Sequence, residues 1–178
     1  GPGYGTRSWA MGGVIATGGT EEAIYWNPAL LAELKNNSVG LSYINLVPGA
    51  EAYQSQIAYG HILKRGPVHE PGLAFNIHSV GVLYENLRLT LADGQGYSEN
   101  SLRLSYAYSP FYFLTIGATF GILKTSSDVL NFGSAGTLID IGGRIALMRN
   151  ITMGIVLRNV LSEVRYEDDI TIELPTSL

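Results

Sequence analysis

Four charged residues, Arg103, Asp140, Arg144 and Arg158, fall on what reads as the inward side of alternating strands. Among Ser, Thr, Gly and Ala neighbours, such charges can build a polar gate or meet a ligand's head group. They can equally pair with one another and stiffen a wall. Asp140 and Arg144 lie four apart on one strand face, too far for a directly opposed pair, so neighbouring strands must bring Arg103 or Arg158 close. Metal and catalytic chemistry have less to stand on. His61, His69 and His78 share no metal-ligand spacing, and neither GxSxG nor HExxH occurs. The expectation is a protein that is not an enzyme and carries no metal or cofactor.

A second group, Tyr25, Trp26, Asn27 and Pro28, sits between two short helical turns. Thr20 reads as the N-cap of the first, with Glu21 and Glu22 placing negative charge where the helix dipole favours it. Asn27 reads as the cap of the second, Pro28 as its first residue, and Ala29 to Leu34 as its body. Tyr25 and Trp26 either line a ligand path or seat the segment by packing. Upstream, Gly12-Gly13 and Gly18-Gly19 flank a small-residue stretch, but no GxGxxG or GxxxxGK[ST] is present, so phosphate binding is not indicated.

The rest of the chain must position these groups, and it reads as strands. Val39, Leu41, Tyr43 and Val47 share one face of the first. In the second, Tyr53, Ile57, Tyr59 and His61 oppose Gln54, Gln56, Ala58 and Gly60. Leu73, Phe75 and Ile77 mark a third strand, and a long loop is expected over 82–100. Then Leu102, Leu104, Tyr106 and Tyr108 alternate with Ser101, Arg103, Ser105 and Ala107, and Leu114 to Ile122 alternate with Thr115, Gly117, Thr119 and Gly121. Only Pro110 and its neighbours join that pair, so they form a hairpin. After a polar loop over 125–134, Ile139 to Leu147 and Ile151 to Leu157 repeat the pattern around a tight turn at Asn150. The stretch 162–174 is polar and acidic and reads as a terminal loop.

About seven strands of roughly 9–11 residues match tilted transmembrane strands. Short turns alternating with long loops match an outer-membrane barrel. Tyr106, Tyr108, Phe111, Tyr112 and Phe113 would then form part of an interfacial aromatic girdle. The fold class expected is all-β: an antiparallel meander forming part of a transmembrane β-barrel, residues 37–178, behind a glycine-rich, short-helical segment, residues 1–36. An odd strand count ending in an outer loop implies about half of a larger barrel.

Gly12-Gly13, the acidic turn and Tyr25-Trp26-Asn27-Pro28-Ala29 together resemble the N-terminal region of the FadL-like outer-membrane barrels. That superfamily includes long-chain fatty-acid channels and the PorV-like barrels associated with protein secretion. The resemblance implies that residues 1–36 form a hatch inside the barrel and that Tyr25, Trp26, Asn27 and Pro28 belong to it. It implies a bacterial outer-membrane location and passage of hydrophobic small molecules, or else a docking role beside other envelope proteins. Membrane lipid or detergent would be a partner in either case. A soluble β-sandwich binding domain is the remaining alternative, since it buries the same alternating faces between two sheets.

Composition agrees with the barrel. Of 178 residues only 15% are charged, while 22 are Gly and 11 are Tyr, against about 25% charged in ordinary globular chains. There is no cysteine, and a net charge of −4 with scattered Lys and Arg makes nucleic acid an unsuitable partner. No apolar run reaches the roughly 18 residues of a membrane-spanning helix, so a membrane would have to be crossed by strands.

Overall fold

The computed structural model describes residues 20–47, 51–66, 76–90, 94–128, 132–148, 151–161, 163–166 and 171–173. Gly12-Gly13, Gly18, Gly19 and His69 lie outside them. The chain is mostly antiparallel β, a seven-strand meander curled into a half-barrel. Its strands are β1 (Ser38–Asn45), β2 (Ala52–Lys64), β3 (Ile77–Thr90), β4 (Gly96–Phe111), β5 (Leu114–Ser127), β6 (Phe132–Met148) and β7 (Ile151–Leu157). Each pairs antiparallel with the next. β7 covers only one half of β6. Its other half is taken by β8 (Glu163–Tyr166), against which β9 (Thr171–Glu173) turns back. All nine strands belong to one sheet, not to the two facing sheets of a sandwich.

Several expectations from sequence give way here. Of the third strand expected over 73–78, the described residues show strand only at Ile77 and His78. Asn76 adopts a left-handed conformation, φ 55°, and β3 begins only at Ile77; residues 73–75 lie outside the described set. The expected loop over 82–100 is largely strand, because β3 runs to Thr90 and β4 starts at Gly96. The expected loop over 125–134 is likewise mostly β5 and β6. Residues 162–174 contain β8 and β9. β3 to β6 are therefore 14 to 17 residues long, not 9–11, and the expected alternation of short turns with long loops disappears.

One physical cause underlies these differences. On the outer face, Tyr84, Leu102, Ile122 and Thr137 form one row across β3 to β6. The next outward row reads Asn86, Asn100, Lys124 and Ala135. Below this line the outer residues are apolar, above it polar or small, and the hydrogen-bonded ladder crosses it without interruption. Alternation in hydrophobicity therefore stops where the surroundings of the strand change, not where the strand ends.

The apolar part of the outer face is continuous. Leu41, Leu104, Ile122 and Met153 are 76, 52, 51 and 60% exposed, and Tyr59, Val82, Ile116, Phe120, Ile141 and Ile155 are exposed with them. Near the β4–β5 turn, Phe111 stacks on Phe113, Tyr112 meets Phe113 edge-on, and His78 stacks on Tyr108. A soluble monomer rarely presents apolar surface on this scale.

The core lies on the inner face of the curl. Helix α1 (Ala23–Trp26) and a 3-10 helix (Pro28–Glu33) pack there, burying Ile24, Leu30 and Leu31 completely against Ala58, Leu83 and Ala107. Each such side chain is worth about 1.5–3 kcal/mol. α1 begins two residues later than the sequence suggested. Glu22 stands at its N-cap and makes no side-chain cap, while Thr20 contributes its carbonyl to the Ala23 amide. Asn27 caps the second turn through its side chain, with Pro28 at the first position; that turn is 3-10 rather than α.

Candidate functional site

The site is the contact between the helical segment and the inner wall. Ser79, Ala107, Gly117, Gly142 and Val156 form one row across β3 to β7. Because these residues are small, the backbone of Pro28 and Ala29 comes down onto the sheet. A Cβ at Gly117 would lie 2.5 Å from both the Pro28 carbonyl carbon and the Ala29 nitrogen, and one at Gly142 would strike the Asn27 side chain. Gly81 makes room for Ile24 and Gly60 for Leu34 in the same way. The glycines on β2, β3, β5 and β6 are thus the negative of the segment's shape.

Polar groups fix the segment within this mould. Asn27 is fully buried; its Nδ2 donates to the Gly143 carbonyl at 3.1 Å and its Oδ1 accepts from the Ala29 amide at 3.0 Å. Arg158 Nη2 donates to the carbonyls of Tyr25 and Trp26 at 3.3 and 3.4 Å, at the end of α1 where free carbonyls favour a cation. Its guanidinium also stands over both rings, 5.3 Å from Tyr25 and 5.7 Å from Trp26. Arg144 pairs with Glu33 at 2.6 Å, and Arg65 donates to the carbonyls of Leu34 and Lys35.

Arg103 joins this set from β4. Its guanidinium lies 5.0 Å from the Tyr25 ring centre and 3.6 Å from Asp140 Oδ2. Asp140 Oδ1 accepts from the Asn159 amide, and Asn159 has φ 56°, so the break between β7 and β8 folds around this carboxylate. The structure thus brings Arg103, Asp140 and Arg158 together around Tyr25, while Arg144 lies apart with Glu33. Burial pushes the Tyr25 phenol above its ordinary range, the charge of Glu85 adds to this, and Arg103 and Arg158 offset part of it.

Glu85 is the residue that sequence reasoning missed. It is buried on the inner face of β3, where it accepts from Gln54, from Gln56 at 3.2 Å and from Ser101 at 3.5 Å. The signal was available: Ser79, Gly81, Leu83 and Glu85 keep period two with the inward side. Elsewhere, His61 and His78 face outward and contact tyrosines, Tyr59 and Tyr106. Among the described residues there is no cluster able to hold a metal and no helix long and apolar enough to cross a membrane.

The Arg144–Glu33 contact gives a testable increment. Both side chains are mostly buried, 16 and 23% exposed. A double-mutant cycle with Arg144→Gln and Glu33→Gln is expected to show a coupling of about 1 kcal/mol, read by urea titration of Trp26 emission with Trp9 replaced by Phe. Strict additivity of the two substitutions would mean that the pair does not hold the segment.

The fold and the site together define a class, a curled antiparallel half-barrel holding a helical segment on its inner face. Comparison of the chain with protein-family models, curated proteins and solved structures found no match.

Proposed function

We propose that the chain is part of the wall of a transmembrane β-barrel of the FadL-like and PorV-like group in a bacterial outer membrane, with the helical segment as its hatch. One observation carries this reading: the outer face bears a continuous apolar band below a polar margin, while the inner face outside the helical segment's seat is built largely from small, polar and paired charged residues. Such a surface suits hydrocarbon, and the single open sheet suits a wall that further strands complete. The activity proposed is passage of hydrophobic small molecules of the long-chain fatty-acid type past the hatch. Tyr25 and Trp26 would contact the ligand, and the surrounding arginines would meet its head group.

A second reading, a docking partner in secretion or other envelope machinery, is favoured by the tightness of the seat. Backbone pressed onto Gly117 and tied through Asn27 leaves little for a ligand to displace. In this reading the hatch braces the wall, and partners meet the polar strand ends beyond the apolar line.

The test is flotation with liposomes after refolding in detergent. The protein is expected to float with the vesicles through a carbonate wash and to aggregate when detergent is withdrawn without lipid. A clean monomer in plain buffer that stays below the lipid band would overturn the membrane reading. Saturable binding of a fluorescent fatty acid, quenching Trp26, separates the channel reading from the docking one.

A further inference from the structure

We propose that the outer face carries a binding site for a glycolipid with a neutral pyranose head, placed where β1 to β3 cross the apolar line. A polar pocket of about 420 Å³ lies there, lined by Tyr43, Asn45, Glu51, Tyr53 and Arg88. The register brings them together: Asn45, Tyr53 and Arg88 stand side by side in one outward row, with Tyr43 one row below and Glu51 just ahead of β2. Directly beneath, a groove of about 450 Å³ runs over Leu41, Ile57 and Tyr84, and Tyr43 borders both. Each volume falls within the range of about 300–1,000 Å³ that holds small ligands. The lipid half of the proposal rests on the membrane reading, and the sugar half adds a ligand that neither the channel nor the docking role supplies.

The chemistry of the pocket selects the head group. Tyr53 stacks on Tyr43 with ring centres 5.8 Å apart, and Tyr43 stays 68% exposed. A ring held from one side and open on the other is a rigid platform for the C–H face of a sugar. Beyond that stack, the side chains of Tyr43, Asn45, Glu51, Tyr53 and Arg88 have no polar partner among the described residues. Sugar hydroxyls both donate and accept. The Arg88 guanidinium offers donors in a fixed fork, the Glu51 carboxylate offers acceptors, and the Asn45 amide offers both kinds. One cation and one anion balance, so a neutral head meets no uncompensated charge, whereas an anionic head faces Glu51 and a cationic head faces Arg88. Below the pocket, Leu41 and Ile57 are 76 and 48% exposed and share one ladder row with Tyr84. Acyl chains leaving the head would run down this apolar groove.

Native mass spectrometry of the protein in an amine-oxide detergent tests this. The probes are glucosyl and galactosyl diacylglycerol, the headless diacylglycerol and the phosphoglycerol lipid, all with the same acyl chains. A hexosyl lipid is expected to be retained over both the headless and the phosphoglycerol lipid. The matching methyl hexoside, a head without chains, is expected to bind at least about tenfold more weakly, the scale of two buried methylenes. Arg88→Ala is expected to lower hexosyl-lipid retention about tenfold, the scale of one lost charged hydrogen bond. Lys124→Ala, which removes an exposed outer-face cation off this pocket, is expected to leave it unchanged. Glu51→Gln should let the phosphoglycerol lipid compete. Equal retention of all the lipids, or equal effects of Arg88→Ala and Lys124→Ala, would overturn the site. A methyl hexoside that binds as tightly as the hexosyl lipid would overturn a glycolipid as its occupant. Flotation is scored on the same preparation. A protein that floats without selecting the sugar loses only this inference, and one that does not float loses the membrane reading and the glycolipid with it.

Discussion

Replacing Gly117 with valine is expected to drive the helical segment off the wall while leaving the sheet in place. The added Cβ would sit 2.5 Å from the Pro28 carbonyl carbon and the Ala29 nitrogen, against about 3.5–4.0 Å for an unstrained contact. A flexible side chain could turn aside, but these are backbone atoms, and β5 is held on both sides by β4 and β6. Overpacking in a core costs typically 1–3 kcal/mol. A branched residue against rigid backbone belongs at the upper end, about 3 kcal/mol. The check is Trp26 emission and protease cleavage between residues 20 and 36, alongside far-UV circular dichroism. Emission should shift to the red and cleavage should quicken, with the β signal kept. Ala118→Val, one residue along and on the exposed outer face, should do neither. A Gly117→Val protein with unchanged emission and protection would mean that the seat is not as tight as it stands here.

Asn27 should show the next largest effect, and its variants should rank in an informative order. Asn27→Ala removes a donor to the Gly143 carbonyl and an acceptor for the Ala29 amide, both in buried surroundings. Leaving them unpaired costs about 1–3 kcal/mol each. Asn27→Asp keeps the acceptor but turns a second oxygen toward the Gly143 carbonyl, so near neutral pH it should be worse than alanine. The ionised form is the one the folded site disfavours, so the introduced carboxyl has a folded pKa above its unfolded value. Its protonated form can donate to the carbonyl. Stability should therefore be regained as pH falls toward the unfolded carboxylate pKa, and lost as pH rises through the folded one. Urea midpoints for both variants across pH 4–8 decide this. An Asn27→Asp curve parallel to that of Asn27→Ala would show that the buried amide is not what holds the segment.

Much of the wall was legible because its outer residues are apolar in strict alternation. Leu102, Leu104 and Tyr106, or Ile116 and Phe120, announce a strand and its face together. The same rule hid the upper strands. Asn86 and Arg88 or Lys124 and Ser126 lie outward beyond the apolar line, so β3 and β5 lose their hydrophobic period while keeping their ladder. Gly81, just ahead of the expected loop, is a strand residue whose missing side chain admits Ile24. The four inward charges were identifiable by parity alone. Their partners were not, because Arg158 reaching Tyr25 and Arg144 reaching Glu33 depend on where the helical segment lands, and no local pattern encodes that. Glu85 was missed because the strand carrying it was not recognised.

The seat also sets an order of events during folding. Each neighbouring pair of strands from β1 to β7 meets through a short stretch of chain, so the hairpins can form early and locally. The helical segment has no such neighbour. Asn27 reaches its Gly143 partner across 116 residues and Arg158 reaches Tyr25 across 133. The segment lies at the start of the sequence, yet its cap and clamp are made only once β6 and β7 exist. Its apolar face, Ile24, Leu30 and Leu31, can settle on β2 to β4, where Ala58, Leu83 and Ala107 receive it, but the polar ties that fix its position wait for the far half of the wall. A segment that precedes every strand of the wall in sequence is fixed only when the later strands are in place.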